Sequence, residues 1–245
     1  MIMEEGLFEK LCDFLKGKSD EEVVGWFKEF KNERAIREKK RMVRDLEILL
    51  KSQADALGRR MPEIGTAFAE ETSRIAKYAV DWVSESKSPL PTVLSVVGSR
   101  DKRYPIDGLL KIAKIETPKD MEVGLNTWIR YKYEPGTPYA LVGVNAIYLE
   151  DVSPKEAEKE YKKQGRNRPP FDLDEATAIF MQGVDYFGIL PYSILVLGSG
   201  WDGQAVVIRS DLGGKRSLVK VPWNETIPGQ VLVPTSAGGE TLLFY

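Results

Sequence analysis

The chain changes its periodicity once, at KSPLP (Lys87–Pro91), and the residues before that junction are patterned differently from those after it. From Glu4 to about Ser88 the apolar residues recur at helical spacing, interrupted only by Gly6, Gly17, Gly25, Gly58, Pro62 and Gly65. Three helices account for this region. The first, about Glu4–Lys16, places Leu7, Leu11, Phe14 and Leu15 on one face and stops at Gly17. SDEE opens the second: Ser19 offers a cap oxygen and Glu22, three residues on, the reciprocal carboxylate. That helix runs to Leu57, long for a globular protein. Pro62 starts the third, where its missing N–H costs nothing, and Ile64, Phe68, Ile75, Tyr78, Ala79 and Trp82 form the buried stripe.

Beyond the junction come short β-branched or aromatic runs divided by Gly and Pro: TVLSVV, LLKIAKI, NTWIRYKY, YALVGVNAIYL, SILVL, QAVVIRS, RSLVKVPW and QVLVP. Each is expected to be a strand. Two helices interrupt them, one from Ser153 (SPKE) to Gln164 and one from Asp172 (DLDE, a second capping box) to Met181. The expected architecture is α+β: a helical region over residues 1–88, with about three helices, one of them long. An α+β domain with a mainly antiparallel sheet then covers residues 89–245.

Several chemistries are closed to this chain. It contains no histidine and one cysteine, Cys12, so it can form neither a Ser-His-Asp or Cys-His triad nor a His-ligated metal centre, and no intrachain disulfide. Catalysis would need carboxylates, lysine, tyrosine or a bound group, and the expectation is a protein that uses neither cofactor nor metal. The N-terminus, MIMEEGLFEK, has acids where a signal peptide has bases, and no apolar run is long enough to span a bilayer. The reading is therefore a cytoplasmic protein without a membrane partner. Charged residues make up 29% of the chain and amides are few, a balance thermophilic proteins favour.

Gly198, Gly200 and Gly203 in SILVLGSGWDGQAVVIRS complete a G-x-G-x-x-G match. A dinucleotide site needs a helix directly after the glycines, because unpaired N–H groups at its first turn hold the pyrophosphate. Here Ala205, Val206, Val207 and Ile208 follow, which favour a strand. SGWDG is accordingly a β-hairpin loop with Trp201 folded back on the sheet.

KNERAIREKKRMVR (Lys31–Arg44) sets seven cations against Glu33 and Glu38. Arg34, Arg37, Arg41 and Arg44 recur at steps of three and four, so they form a ridge on one helical face, with Lys40 beside it. The ridge could neutralise phosphates of RNA or DNA, or meet an acidic protein. It could equally be the solvated middle of a long helix, laced by pairs such as Glu33 with Arg37. A second cluster, KKQGRNRPP, offers Arg166 and Arg168 as anion ligands in a loop that Pro169 and Pro170 keep out of helix, unless they pair with Asp172, Asp174 or Glu175. TWIRYKYEPGTPY interleaves aromatics and cations, as single-stranded nucleic-acid platforms do and as a half-buried strand also does.

The stretch YALVGVNAIYLEDVSPKEAEKEYKKQGRNRPPFDLDEATAIF, followed by LVLGSGWDGQAVVIRS and Trp223, resembles a mostly actinobacterial protein family classed as a domain of unknown function. The resemblance covers roughly Pro89–Ala237. It implies the α+β fold and these limits, and no catalytic residue; the histidines and Trp-Cys-Trp region of the family are missing here. The preferred expectation is a non-catalytic binding or assembly protein whose basic helix contacts nucleic acid, a ribonucleoprotein or an acidic protein. The alternative is a histidine-independent enzyme for an anionic small molecule, with Arg166 and Arg168 holding the anion and Asp174 or Glu175 as acid or base.

Overall fold

The computed structural model describes residues 16, 18–86, 93–96, 105–118, 125–127, 138–164, 170–181, 193–236 and 242–243. The chain divides into two units, residues 1–44 and 45–245. Helix α1, Asp20–Gly58, starts where the SDEE box places it: Glu22 N donates to Ser19 Oγ at 3.3 Å and Ser19 N donates to Glu22 Oε2 at 2.8 Å. The expected helix over residues 4–16 and Cys12 lie outside the described residues.

In the second unit the last part of α1 buries Leu46, Leu50, Gln53, Ala54 and Leu57, one stripe at helical spacing. A tight turn at Arg59–Met61 leads into α2, Pro62–Ser86, with proline at its first position as expected. Its Ile64, Phe68, Ile75, Ala76 and Ala79 are buried, while Tyr78 and Trp82 are half-buried. Two glycines let the helices meet. A Cβ on Gly65 would overlap the backbone of Gly58 and lie 2.9 Å from the Ala54 carbonyl oxygen.

The rest of this unit is α+β. Its remaining elements are β1 Val93–Val96, α3 Ile106–Ile112, β2 Ile115–Glu116, β3 Leu125–Thr127, β4 Tyr139–Val142, β5 Val144–Val152, α4 Pro154–Lys163, α5 Leu173–Met181, β6 Ser193–Trp201, β7 Gln204–Ser210, β8 Arg216–Val221, β9 Ile227–Ser236 and β10 Leu242–Leu243. Among the described residues the larger sheet runs β2-β8-β7-β6-β9-β5, with β3 also paired to β6, and the smaller runs β1-β4-β10. Pairing is antiparallel except at β2/β8 and β6/β9. No helix among the described residues is long and apolar enough to cross a membrane.

The central strands are apolar on both faces because both faces are covered. On one, Leu195, Leu197, Ala205, Val207, Val231 and Val233 pack with Ala157 and Tyr161 of α4. On the other, Ile194, Val196, Val206 and Ile208 are equally buried. Helix α4 begins at the SPKE box, with Ser153 Oγ accepting from Glu156 N at 3.3 Å and Glu156 Oε2 accepting from Ser153 N at 3.0 Å.

Two expected strands differ from what forms. LLKIAKI is mostly helix: Pro105 precedes α3, and Leu109, Leu110 and Ala113 are buried together, so only Ile115 and Glu116 extend. YALVGVNAIYL is two strands, because Gly143 at φ 74° turns the chain out of the smaller sheet (β4) into the larger one (β5). Of NTWIRYKY only Asn126 and Thr127, in β3, are described.

Gly65→Ala is expected to lower stability by about 2 kcal/mol or more, since helix backbones must separate to admit the methyl group. Gly25→Ala, at an exposed α1 position with open space around the added atom, should raise helicity by about 1 kcal/mol of propensity. Urea unfolding followed by circular dichroism checks both.

Candidate functional site

The basic ridge lies on a helix surface open to solvent. Every residue of α1 from Lys28 to Met42 is exposed, as is Arg44, so Arg34, Arg37, Lys40, Arg41 and Arg44 all reach water. Arg34 to Arg44 spans ten residues, about 15 Å of helix axis. Arg34 and Arg37 are held in intrahelical pairs: Arg34 Nε donates to Glu38 at 3.0 Å and Arg37 Nη2 to Glu33 at 3.1 Å. These pairs are at least 60% exposed on both sides, which makes them worth a few tenths of a kcal/mol and easily exchanged for another anion. Phe30, one turn before Arg34 on the same face, is 51% exposed.

The second sequence cluster divides. Lys162 and Lys163 pair with Glu158 at 2.8 Å and Glu160 at 3.0 Å on α4, and Arg166 and Arg168 lie outside the described residues. Asp172, Asp174 and Glu175 are buried at the start of α5, where Asp172 and Glu175 cap the helix. Asp172 Oδ1 accepts from Glu175 N at 2.9 Å, Glu175 Oε2 accepts from Asp172 N at 3.3 Å, and Glu175 Oε1 accepts from the Tyr139 hydroxyl at 3.0 Å. Leu173 N donates to Ser199 Oγ at 3.0 Å. Among the described residues no group of three or more acids and thiols has the geometry to hold a metal ion.

The G-x-G-x-x-G stretch is a hairpin, as its sequence context predicts. Asp202 (φ 51°) and Gly203 (φ 72°) form the two-residue turn between β6 and β7, both with positive φ, as a tight hairpin turn requires. Trp201 is buried against the sheet, with the Lys220 ammonium 4.9 Å from its ring centroid. The other glycines belong to a bulge. Val196 faces Val206 but Gly200 faces Ala205, so Leu197, Gly198 and Ser199 leave the ladder with β7, and Gly198 N donates to the Phe171 carbonyl, just before α5, at 2.9 Å.

A second cationic group was not legible in the sequence. Lys111 and Lys114 at the end of α3 and Lys215 and Arg216 at the start of β8 line one open cleft of about 840 Å³, with Asp107 and Glu116 as its acids. These residues lie a hundred positions apart, and only the parallel β2/β8 pairing unites them. No family model, curated protein or solved structure matches this chain.

Burial, and next the charges of Glu175 and Asp174, hold the Asp172 carboxyl well above its ordinary value of 3.8. An acid raised on folding contributes its full stability below the unfolded value and loses it as pH rises towards the folded one. Asp172→Asn keeps the cap acceptor without the charge. Its unfolding midpoint is expected to fall less than that of the parent as pH rises from 4 to 8, and Asp172→Ala, lacking the cap acceptor as well, should stay about 1 kcal/mol less stable than Asp172→Asn throughout.

Proposed function

We propose that this chain is a non-catalytic binding protein whose exposed α1 surface takes a polyanionic partner, with the sugar-phosphate backbone of a nucleic acid as the partner its charge pattern fits. The observation that carries this reading is the ridge Arg34, Arg37, Lys40, Arg41, Arg44, open to solvent along its length. Three points support it. The segment Lys31–Arg44 has seven cations and two acids, a local surplus of five positive charges. The ridge is linear over about 15 Å, a span that matches several successive phosphates. Phe30 adds an exposed aromatic face on the side of Arg34, where a base could stack. Affinity of this kind comes from counterion release and carries little sequence preference.

Fluorescence anisotropy of labelled RNA and DNA, titrated with salt, tests the proposal. Binding is expected to weaken steeply with salt, with a log-log slope of about 0.7 to 0.9 per phosphate contacted. The Lys39→Glu, Lys40→Glu, Arg41→Glu triple variant should lose it. Equal binding by parent and variant, or no binding at low salt, would reject the reading.

A further inference from the structure

We propose that the cleft between the end of α3 and the β7–β8 turn is a second, separate anion site, built for a small phosphate-bearing molecule. The parallel register pairs Ile115 with Arg216, so that the residues just before them, Lys114 and Lys215, both line the cleft. Two like charges in one cleft are unfavourable unless something anionic lies between them, and one of the two, Lys215, has such a partner in Glu116 at 3.0 Å. Lys114 and Lys111 form no ion pair among the described residues, so the lining keeps a surplus of two positive charges, four cations against Asp107 and Glu116.

Arg216 supplies the directional element. Its guanidinium lies 4.3 Å from the centroid of the Phe180 ring, which fixes its plane, and Nη1 makes one long bond, 3.5 Å, to the Ala113 carbonyl oxygen. Its Nε is buried and has no acceptor. A guanidinium whose plane is fixed at the lining of the cleft is suited to two-point recognition of a phosphate oxygen pair, which lysine cannot provide. The backbone around it is shaped accordingly: Lys114 sits at φ 58° and Gly214 at φ 75°, so two left-handed residues bound the cleft. A lysine in that conformation costs about 1 kcal/mol, and such strain gathers at ligand sites.

Size sets the ligand class. About 840 Å³ falls within the range of small-molecule sites and far exceeds a bare phosphate, leaving room for an organic body beside it. The site is distinct from the α1 ridge in residues and in ligand.

Isothermal titration of the full chain with adenosine 5′-monophosphate, and separately with sulfate, tests this. Adenosine monophosphate is expected to bind roughly tenfold or more tightly than sulfate, because only it uses the space beyond the anion. The variant Lys111→Gln, Lys114→Gly should weaken it by about tenfold or more; glycine suits the positive φ at residue 114, so the fold is retained and its unfolding midpoint should not fall. Arg216→Lys should weaken it while keeping the charge. The Lys39→Glu, Lys40→Glu, Arg41→Glu variant should bind it unchanged. No heat at about 1 mM ligand, equal affinity for sulfate, or affinity untouched by the Lys111/Lys114 or Arg216→Lys substitutions would overturn the proposal, as would loss in the ridge variant.

Discussion

A helix buried along nearly its whole surface must have both ends satisfied by protein, because water cannot reach its free N–H and C=O groups. Helix α5 is in that position: of Leu173–Met181 only Phe180 is not fully buried. At its start Asp172 and Glu175 cap each other, Glu175 also accepts from Tyr139 of the smaller sheet, and Ser199 on the β6 bulge takes the Leu173 N–H. At its end Arg60, in the turn between α1 and α2, donates to the carbonyls of Phe180 at 3.2 Å and Met181 at 3.1 Å. A cation there also suits the negative end of the helix dipole. Satisfying one nine-residue helix thus draws on the helical hairpin and on both sheets.

The same arrangement explains the costs the structure carries. Three carboxylates share a buried helix start, favoured by its dipole, yet the loss of solvent and then their mutual repulsion push Asp172 towards its neutral form. The bulge in β6 breaks the ladder with β7 for three residues; its Gly198 N–H goes to the Phe171 carbonyl before α5, and its Ser199 hydroxyl takes the first N–H of that helix. The phosphate-loop pattern thus falls on a strand, a bulge and a hairpin turn, with a strand and not a helix after it.

The two cationic surfaces are constructed differently, and this shapes what each can hold. Along α1 the charges are spaced by helical steps and exposed to water, the arrangement on which the proposed polyanion contact rests. In the cleft, α3, β2 and β8 converge their cations on one volume, and an aromatic ring orients one of them. Convergence and orientation favour a compact ligand with a few strong contacts.

Helix starts were legible because caps are local: SDEE, SPKE and DLDE name their own N-termini, and each acts within three residues. The α1 ridge was legible for the same reason, since periodicity alone places Arg34, Arg37, Arg41 and Arg44 on one face. LLKIAKI was not, because Leu and Ile alternate well enough for a strand and only burial of Leu109 and Leu110 beside Ala113 selects the helix. The switch of sheets at Gly143 was hidden too, as a glycine inside an apolar run does not state which way the chain turns.

By itself, then, the sequence determined which chemistries are closed, where four of the helices begin, the hairpin at SGWDG and the line of charge on α1, all matters of composition or of contacts within a few residues. Tertiary structure alone decided that three acids would be buried on α5 and that Lys111, Lys114, Lys215 and Arg216 would share a cleft. Those outcomes depend on strand register and on which elements cover one another, and such long-range pairings are set by the packing of the whole unit.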